Sequence, residues 1–164
     1  LVSIARKPSG NSMSESRNPQ SAIQNPKSAI PMQDLAAEWL QGIREFNDRE
    51  YYACHDTLEA LWMDAVDPDK KFYQGVLQIA VGCYHLHNRN WRGAVTLLGE
   101  GIGRLPYYQP IYAGIDVTRL IRDSSQLLQT LQSIGSDGAN DFVDRLNLDP
   151  TLLPQAYWVE ENAD

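Results

Sequence analysis

A histidine and a glutamate four residues apart, His55 and Glu59 in YYACHDTLEALWM, stand on the most hydrophobic face of residues 51–63. At roughly 100° per residue, Tyr51, His55, Leu58, Glu59 and Trp62 share one side of a helix there. An imidazole and a carboxylate so placed can exchange a proton or share a metal ion. A second polar line runs through FYQGVLQIAVGCYHLHNRN, where Gln74, Gln78 and His85 recur at spacings of four and seven on a helix too apolar to face water. A buried polar group without a partner costs roughly 1–3 kcal/mol, so these five side chains are expected to bond to one another, to water or to a ligand. His87 falls about 160° from His85 on the wheel and stays outside the set.

Three readings of this constellation are open. It can be a satisfied network that locks the register of two helices. It can be a pocket between helices, with glutamines and histidines orienting a ligand and Trp62, Tyr73, Tyr84 and the aromatics of 107–112 as walls; the ligand-binding candidates are then Trp62, Gln74, Gln78, Tyr84 and His85. Or it can do chemistry, with His55 and Glu59 as an acid/base pair, or His55, Glu59 and His85 as a two-histidine, one-carboxylate metal site. Ferritin-like metal sites need further carboxylates and an ExxH spacing that the third helix lacks. The leading expectation is therefore a structural or ligand- or partner-binding module, with a small enzyme as the alternative and no cofactor specified.

Other chemistry-bearing stretches carry less. LLGEGIGRL, residues 97–105, follows no strand and is not a phosphate loop; Gly93, Gly99 and Gly103 are expected to permit close helix approach or to soften the helix end. The serines at 124–125 lack a nucleophile-elbow context. Arg89, Arg92 and Arg104 are expected in surface salt bridges.

The elements that must position these residues read as helices. Apolar residues Leu35, Trp39, Leu40, Ile43 and Phe46 recur at helical spacing over Asp34 to about Asn47. A second helix spans about Glu50–Ala65 and stops at DPD, a third spans about Asp69–Asn88, and a fourth, capped by Asn90, spans about Trp91–Leu105 with Ala94, Leu97, Leu98, Ile102 and Leu105 inward. Residues 106–116, with two prolines and a glycine, read as an aromatic loop. Asp116 caps a fifth helix to about Leu131, and a short helix near Asn140–Leu146 precedes a tail that is irregular or packed down by Trp158. No strand-like alternation competes, so the predicted fold is an all-α, compact antiparallel bundle of about five to six helices.

At 164 residues and 43% hydrophobic, the chain has enough material for one core. It contains no 18-residue apolar run and no charged-then-apolar leader pattern, so the expected location is cytoplasmic. Cys54 and Cys83 lack CxxC partners and are expected to be reduced and to pack as small hydrophobes. From Met32 onward there are 10 basic and 20 acidic residues. A body that acidic disfavours nucleic acid and anionic membranes. It leaves open a homodimer through an aromatic surface, a small-molecule ligand or a protein partner.

Residues 18–30, NPQSAIQNPKSAI, repeat with a period of seven and contain two prolines, which excludes a coiled-coil heptad. Seven codons are also three copies of a seven-nucleotide unit. The segment reads either as translated tandem-repeat DNA ahead of a start at Met32 or as an expressed disordered tail. The expected organisation is a leader over 1–31, a helical domain over 32–149 and a tail over 150–164.

FNDREYYACHDTLEALWM, then KKFYQGVLQIAVGCYHLHNRNWRGAVTLL, then YAGID resemble the domain of unknown function family 309, small bacterial and archaeal proteins. The likeness runs from about Phe46 to Leu120. It implies an all-helical fold and marks His55, Glu59, Trp62, Gln74, Gln78, His85, Asn90, Gly93 and Asp116 as signature positions, with Asp56 where glutamate is also common. It implies no activity.

Overall fold

The computed structural model describes residues 34–160; the expected leader and its repeat lie outside them. Six helices follow in order: α1 (Ala37–Asn47), α2 (Tyr51–Asp64), α3 (Asp69–His87), α4 (Trp91–Arg104), α5 (Val117–Ile134) and α6 (Ala139–Leu148). Between α4 and α5 lie a 3₁₀ turn, Pro106–Tyr108, and two short strands, β1 (Ile111–Tyr112) and β2 (Ile115–Asp116). The all-α reading holds, and no helix among the described residues is long and apolar enough to cross a membrane.

Local chemistry fixes the helix starts where the sequence placed caps. The Asn90 side chain accepts from the Gly93 N–H, and Asp116 accepts from the Arg119 N–H. Each satisfies one of the donors a helix N-terminus leaves free. Gly135, at φ 66°, ends α5 in the left-handed region that glycine enters without strain.

Packing follows chain order: α1 lies on α2, α2 on α3, α3 on α4 and α4 on α5. The central helix α3 is buried on nearly every side, from Phe72 through Val76, Leu77, Ile79, Ala80 and Val81 to Leu86. Trp39, Ile43 and Phe46 of α1 and Leu98 and Leu105 of the α4 region close the same core. Each such side chain contributes roughly 1.5–3 kcal/mol of burial.

The loop expected over 106–116 contains a hairpin. Ala113 (φ 47°) and Gly114 (φ 78°) form its two-residue turn, between the paired Tyr112 and Ile115. Two successive positive φ values match the twist of the flanking strands. Trp39 Nε1 donates to the Ala113 carbonyl at 2.8 Å, holding a non-glycine residue in that conformation. The tail packs rather than trailing: Val159 N–H donates to the Gly114 carbonyl, Asp116 N–H to that of Tyr157, and Asn47 exchanges two hydrogen bonds with Ala156.

Candidate functional site

His55 lies in the second turn of α2, only 4% exposed. Its Nδ1 is 3.0 Å from Asp56 Oδ1. Its Nε2 is buried, makes no hydrogen bond and lies 3.9 Å from Glu59 Oε2, one helical turn on. The i,i+4 spacing brings His55 and Glu59 together, while Asp56, the adjacent residue, reaches the other side of the ring. Ligand atoms of His55, Asp56 and Glu59 all lie within 4.8 Å of one another.

The predicted residues are not gathered into one cluster. Gln78 is completely buried, but its amide donates to Glu100 Oε2 and its carbonyl accepts from Arg104 Nε, both at 2.8 Å and both on α4. His85 Nδ1 lies 3.3 Å from Asn90 Nδ2, ahead of α4. The line of α3 through Gln78 and His85 therefore faces α4 and not α2. The cause is close backbone approach along that line. A Cβ on Gly101 would meet the Gly75 carbonyl at 2.7 Å, and one on Gly93 would meet His85 Cγ at 2.8 Å. Gly99 and Gly103, also expected to mediate approach, face open space or ordinary contact.

The expected metal set of His55, Glu59 and His85 is corrected accordingly. Among the described residues the grouped ligand atoms are those of His55, Asp56 and Glu59, and His85 stands outside because its ring is turned to Asn90 and Gly93. Burial holds His85 below the ordinary histidine range.

The proposed pocket walls also separate. Helices α2 and α3 run antiparallel, so the start of α2 meets the end of α3: Tyr51 lies 6.4 Å from His87 and Tyr52 lies 5.9 Å from Tyr84, between ring centroids. Tyr52 also lies 6.4 Å from the His55 ring, which makes Tyr84 the ligand candidate joined to His55 through a shared ring. Trp62 sits at the other end, with Lys70 Nζ 5.1 Å from its ring centre. Tyr108 and Tyr112 pack on Phe72 in the first turn of α3, 5.1 and 4.6 Å away. Phe72 and Tyr84 are separated by roughly 18 Å of helix rise, so the aromatics of 107–112 do not wall the His55 end. Gln74 is half-buried on α3.

Asp56 is the residue that sequence reasoning passed over as a site member. Its signal was adjacency to His55, masked because neighbours in a helix usually point about 100° apart. Of the arginines expected in salt bridges, Arg89 pairs with Asp144 at 2.7 Å, whereas Arg104 serves buried Gln78.

The comparisons with known proteins agree with the resemblance read from the sequence. An 89-residue stretch is 34% identical to the uncharacterized protein YpuF of Bacillus subtilis (strain 168), covering 52% of this chain and 47% of that protein, so the chain spans about half the length of this relative. Residues 39–97, which include His55, Asp56, Glu59, Gln78 and His85 but stop short of the signature position Asp116, match the family model described as Domain of unknown function (DUF309).

Proposed function

We propose that this chain is a binding module whose His55 end of α2 takes a divalent cation of the zinc class. The carrying observation is His55 Nε2, a buried ring nitrogen with no hydrogen-bond partner facing Glu59 at 3.9 Å. Asp56 on Nδ1 fixes the tautomer in which Nε2 presents its lone pair, the usual arrangement around a metal-bound imidazole. An N,O donor pair suits borderline cations such as Zn²⁺ or Co²⁺. Two donors at tetrahedral angles on such an ion stand roughly 3.4 Å apart, so a side-chain movement of about 0.5 Å closes the site. The remaining coordination positions are left for water, a ligand or a partner's side chain.

The test is titration of the full chain with Zn²⁺ and with Co²⁺, whose visible absorption reports imidazole coordination. One equivalent should bind, raise the melting temperature and be lost in both His55→Gln and Glu59→Gln. Absence of stoichiometric binding, or binding that survives both substitutions, refutes the reading. The same lone nitrogen supports a second reading, proton transfer, because a carboxylate on Nδ1 also prepares Nε2 as a base; it calls for activity in metal-free protein that Asp56→Asn reduces.

A further inference from the structure

A cavity of about 540 Å³ opens between α5, α6, the α1–α2 turn and the C-terminal tail. Four arginines line it, Arg49, Arg119, Arg122 and Arg145, against one carboxylate, Asp123. The chain has only 10 basic residues after Met32, among 20 acidic ones, so four of them in one cavity is a concentration opposite in sign to the rest of the surface. We propose that this cavity is a binding site for a small phosphorylated molecule.

The guanidinium groups are positioned more than they are neutralised. Arg119 lies flat on Tyr157, its central carbon 3.5 Å from the ring centre, and its Nε is buried, without a hydrogen bond, 3.7 Å from Asp123 Oδ2. Arg122 takes the other oxygen, Asp123 Oδ1, at 3.0 Å. One carboxylate thus serves two arginines. The ion pairs of the described residues leave Arg49 and Arg145 without a carboxylate, and Arg145 lies 5.2 Å over the Phe142 ring. Arg49 is held at φ 62°, a left-handed conformation that glycine or asparagine adopts at lower cost, in the turn that brings it to the cavity.

Planar guanidinium forks with unfilled donors match the oxygens of a phosphate group, and an excess of three positive charges exceeds what one carboxylate ligand requires. The ligand is small because the acidic surroundings repel an extended polyanion such as nucleic acid. Its non-phosphate part has Leu127 and Leu153 for apolar contact and Gln126 and Gln155 for hydroxyl or amide groups, which fits a nucleoside or a sugar alike.

Calorimetric titration of the full chain with inorganic pyrophosphate, ADP, glucose 6-phosphate and adenosine decides the matter, repeated on Arg122→Gln and Arg145→Gln. Both arginines are exposed and their replacement should leave the melting temperature within a few degrees of the parent, which circular dichroism verifies. Binding of at least one phosphorylated probe, with adenosine inert and affinity falling roughly ten-fold or more in each variant, supports the site. Preference for ADP over pyrophosphate assigns it to nucleotides, and preference for glucose 6-phosphate assigns it to sugar phosphates. No binding at millimolar concentration, binding unchanged in both variants, or stronger binding of a single-stranded oligonucleotide overturns the proposal.

Discussion

Replacing Gly101 by alanine should destabilise the protein, while the same replacement two residues earlier, at Gly99, should stabilise it. Both glycines lie within α4, where alanine is favoured over glycine by roughly 0.5–1 kcal/mol. At Gly99 a Cβ meets only Leu128 Cδ2 at 4.0 Å, an ordinary contact, so the propensity gain should appear almost whole. At Gly101 it meets the Gly75 carbonyl at 2.7 Å, Ile79 Cγ1 at 2.8 Å and the Ile79 nitrogen at 3.0 Å. Two of these three are backbone atoms of α3 and cannot rotate away. Relief therefore requires α3 and α4 to part by roughly half an ångström, and overpacking of this kind costs about 1–3 kcal/mol, with further loss from loosened contacts along the interface. Set against the propensity gain, Gly101→Ala should lose roughly 1–2 kcal/mol, leaving the two variants about 2–3 kcal/mol apart. Urea titration with unchanged m-value measures the difference, and thermal melts should separate by roughly 4–12 °C. The Gln78 bonds to Glu100 and Arg104 span the same interface, so the side-chain amide of Gln78 should exchange faster in Gly101→Ala. If Gly101→Ala equals or exceeds the parent in stability, close approach of α3 and α4 is not what turns Gln78 toward α4.

Burial lowers the His85 pKa, so the folded protein disfavours the charged ring and the unfolded chain binds that proton first. Stability should consequently fall as pH drops below about 6.5, and His85→Gln should flatten part of that fall, as melts between pH 5 and 7.5 will show. Burial pushes the Cys83 thiol up to about 12 and raises Cys54 as well, so neither should react with iodoacetamide at pH 8 in the native state. Mass spectrometry should find both modified only after unfolding; rapid native labelling of either would contradict the burial.

The sequence was most informative where structure is decided locally. Asn90 and Asp116 cap α4 and α5 as read, because an N-cap needs only a side-chain oxygen and an N–H three residues ahead. The hairpin at 111–116 escaped because its strands are two residues long, too short for alternation to register, although Gly114 before Ile115 was a turn signal. The polar line on α3 was legible as a line and illegible as a direction. Periodicity tells which residues share a face and is silent about which neighbour the face meets. Here the missing cue was the glycine pattern: Gly75 and Gly82 lie beside Gln78 and His85 at spacings of three and four, marking that face for the closest helix. The arginine cavity had no sequence signature beyond Arg119 and Arg122 three apart, since its other two arginines arrive from the α1–α2 turn and from α6.

The two binding readings rest on different parts of the chain. His55, Asp56 and Glu59 all belong to the segment matched by the family model, residues 39–97, and are carried by a single helix. The spacing of their donor atoms is therefore set within α2, while the helices packed on it supply the burial of His55. Three of the four cavity arginines, Arg119, Arg122 and Arg145, lie beyond that segment, with Tyr157 of the tail stacked on Arg119 and Arg145 carried by α6. A metal-binding function would thus accompany the family segment, whereas phosphate binding would be a property of the complete described fold. Shortening the chain after residue 149 separates them: removal of Tyr157 and the tail's hydrogen bonds to Asn47 and Asp116 should abolish the anion site before it disturbs one turn of α2.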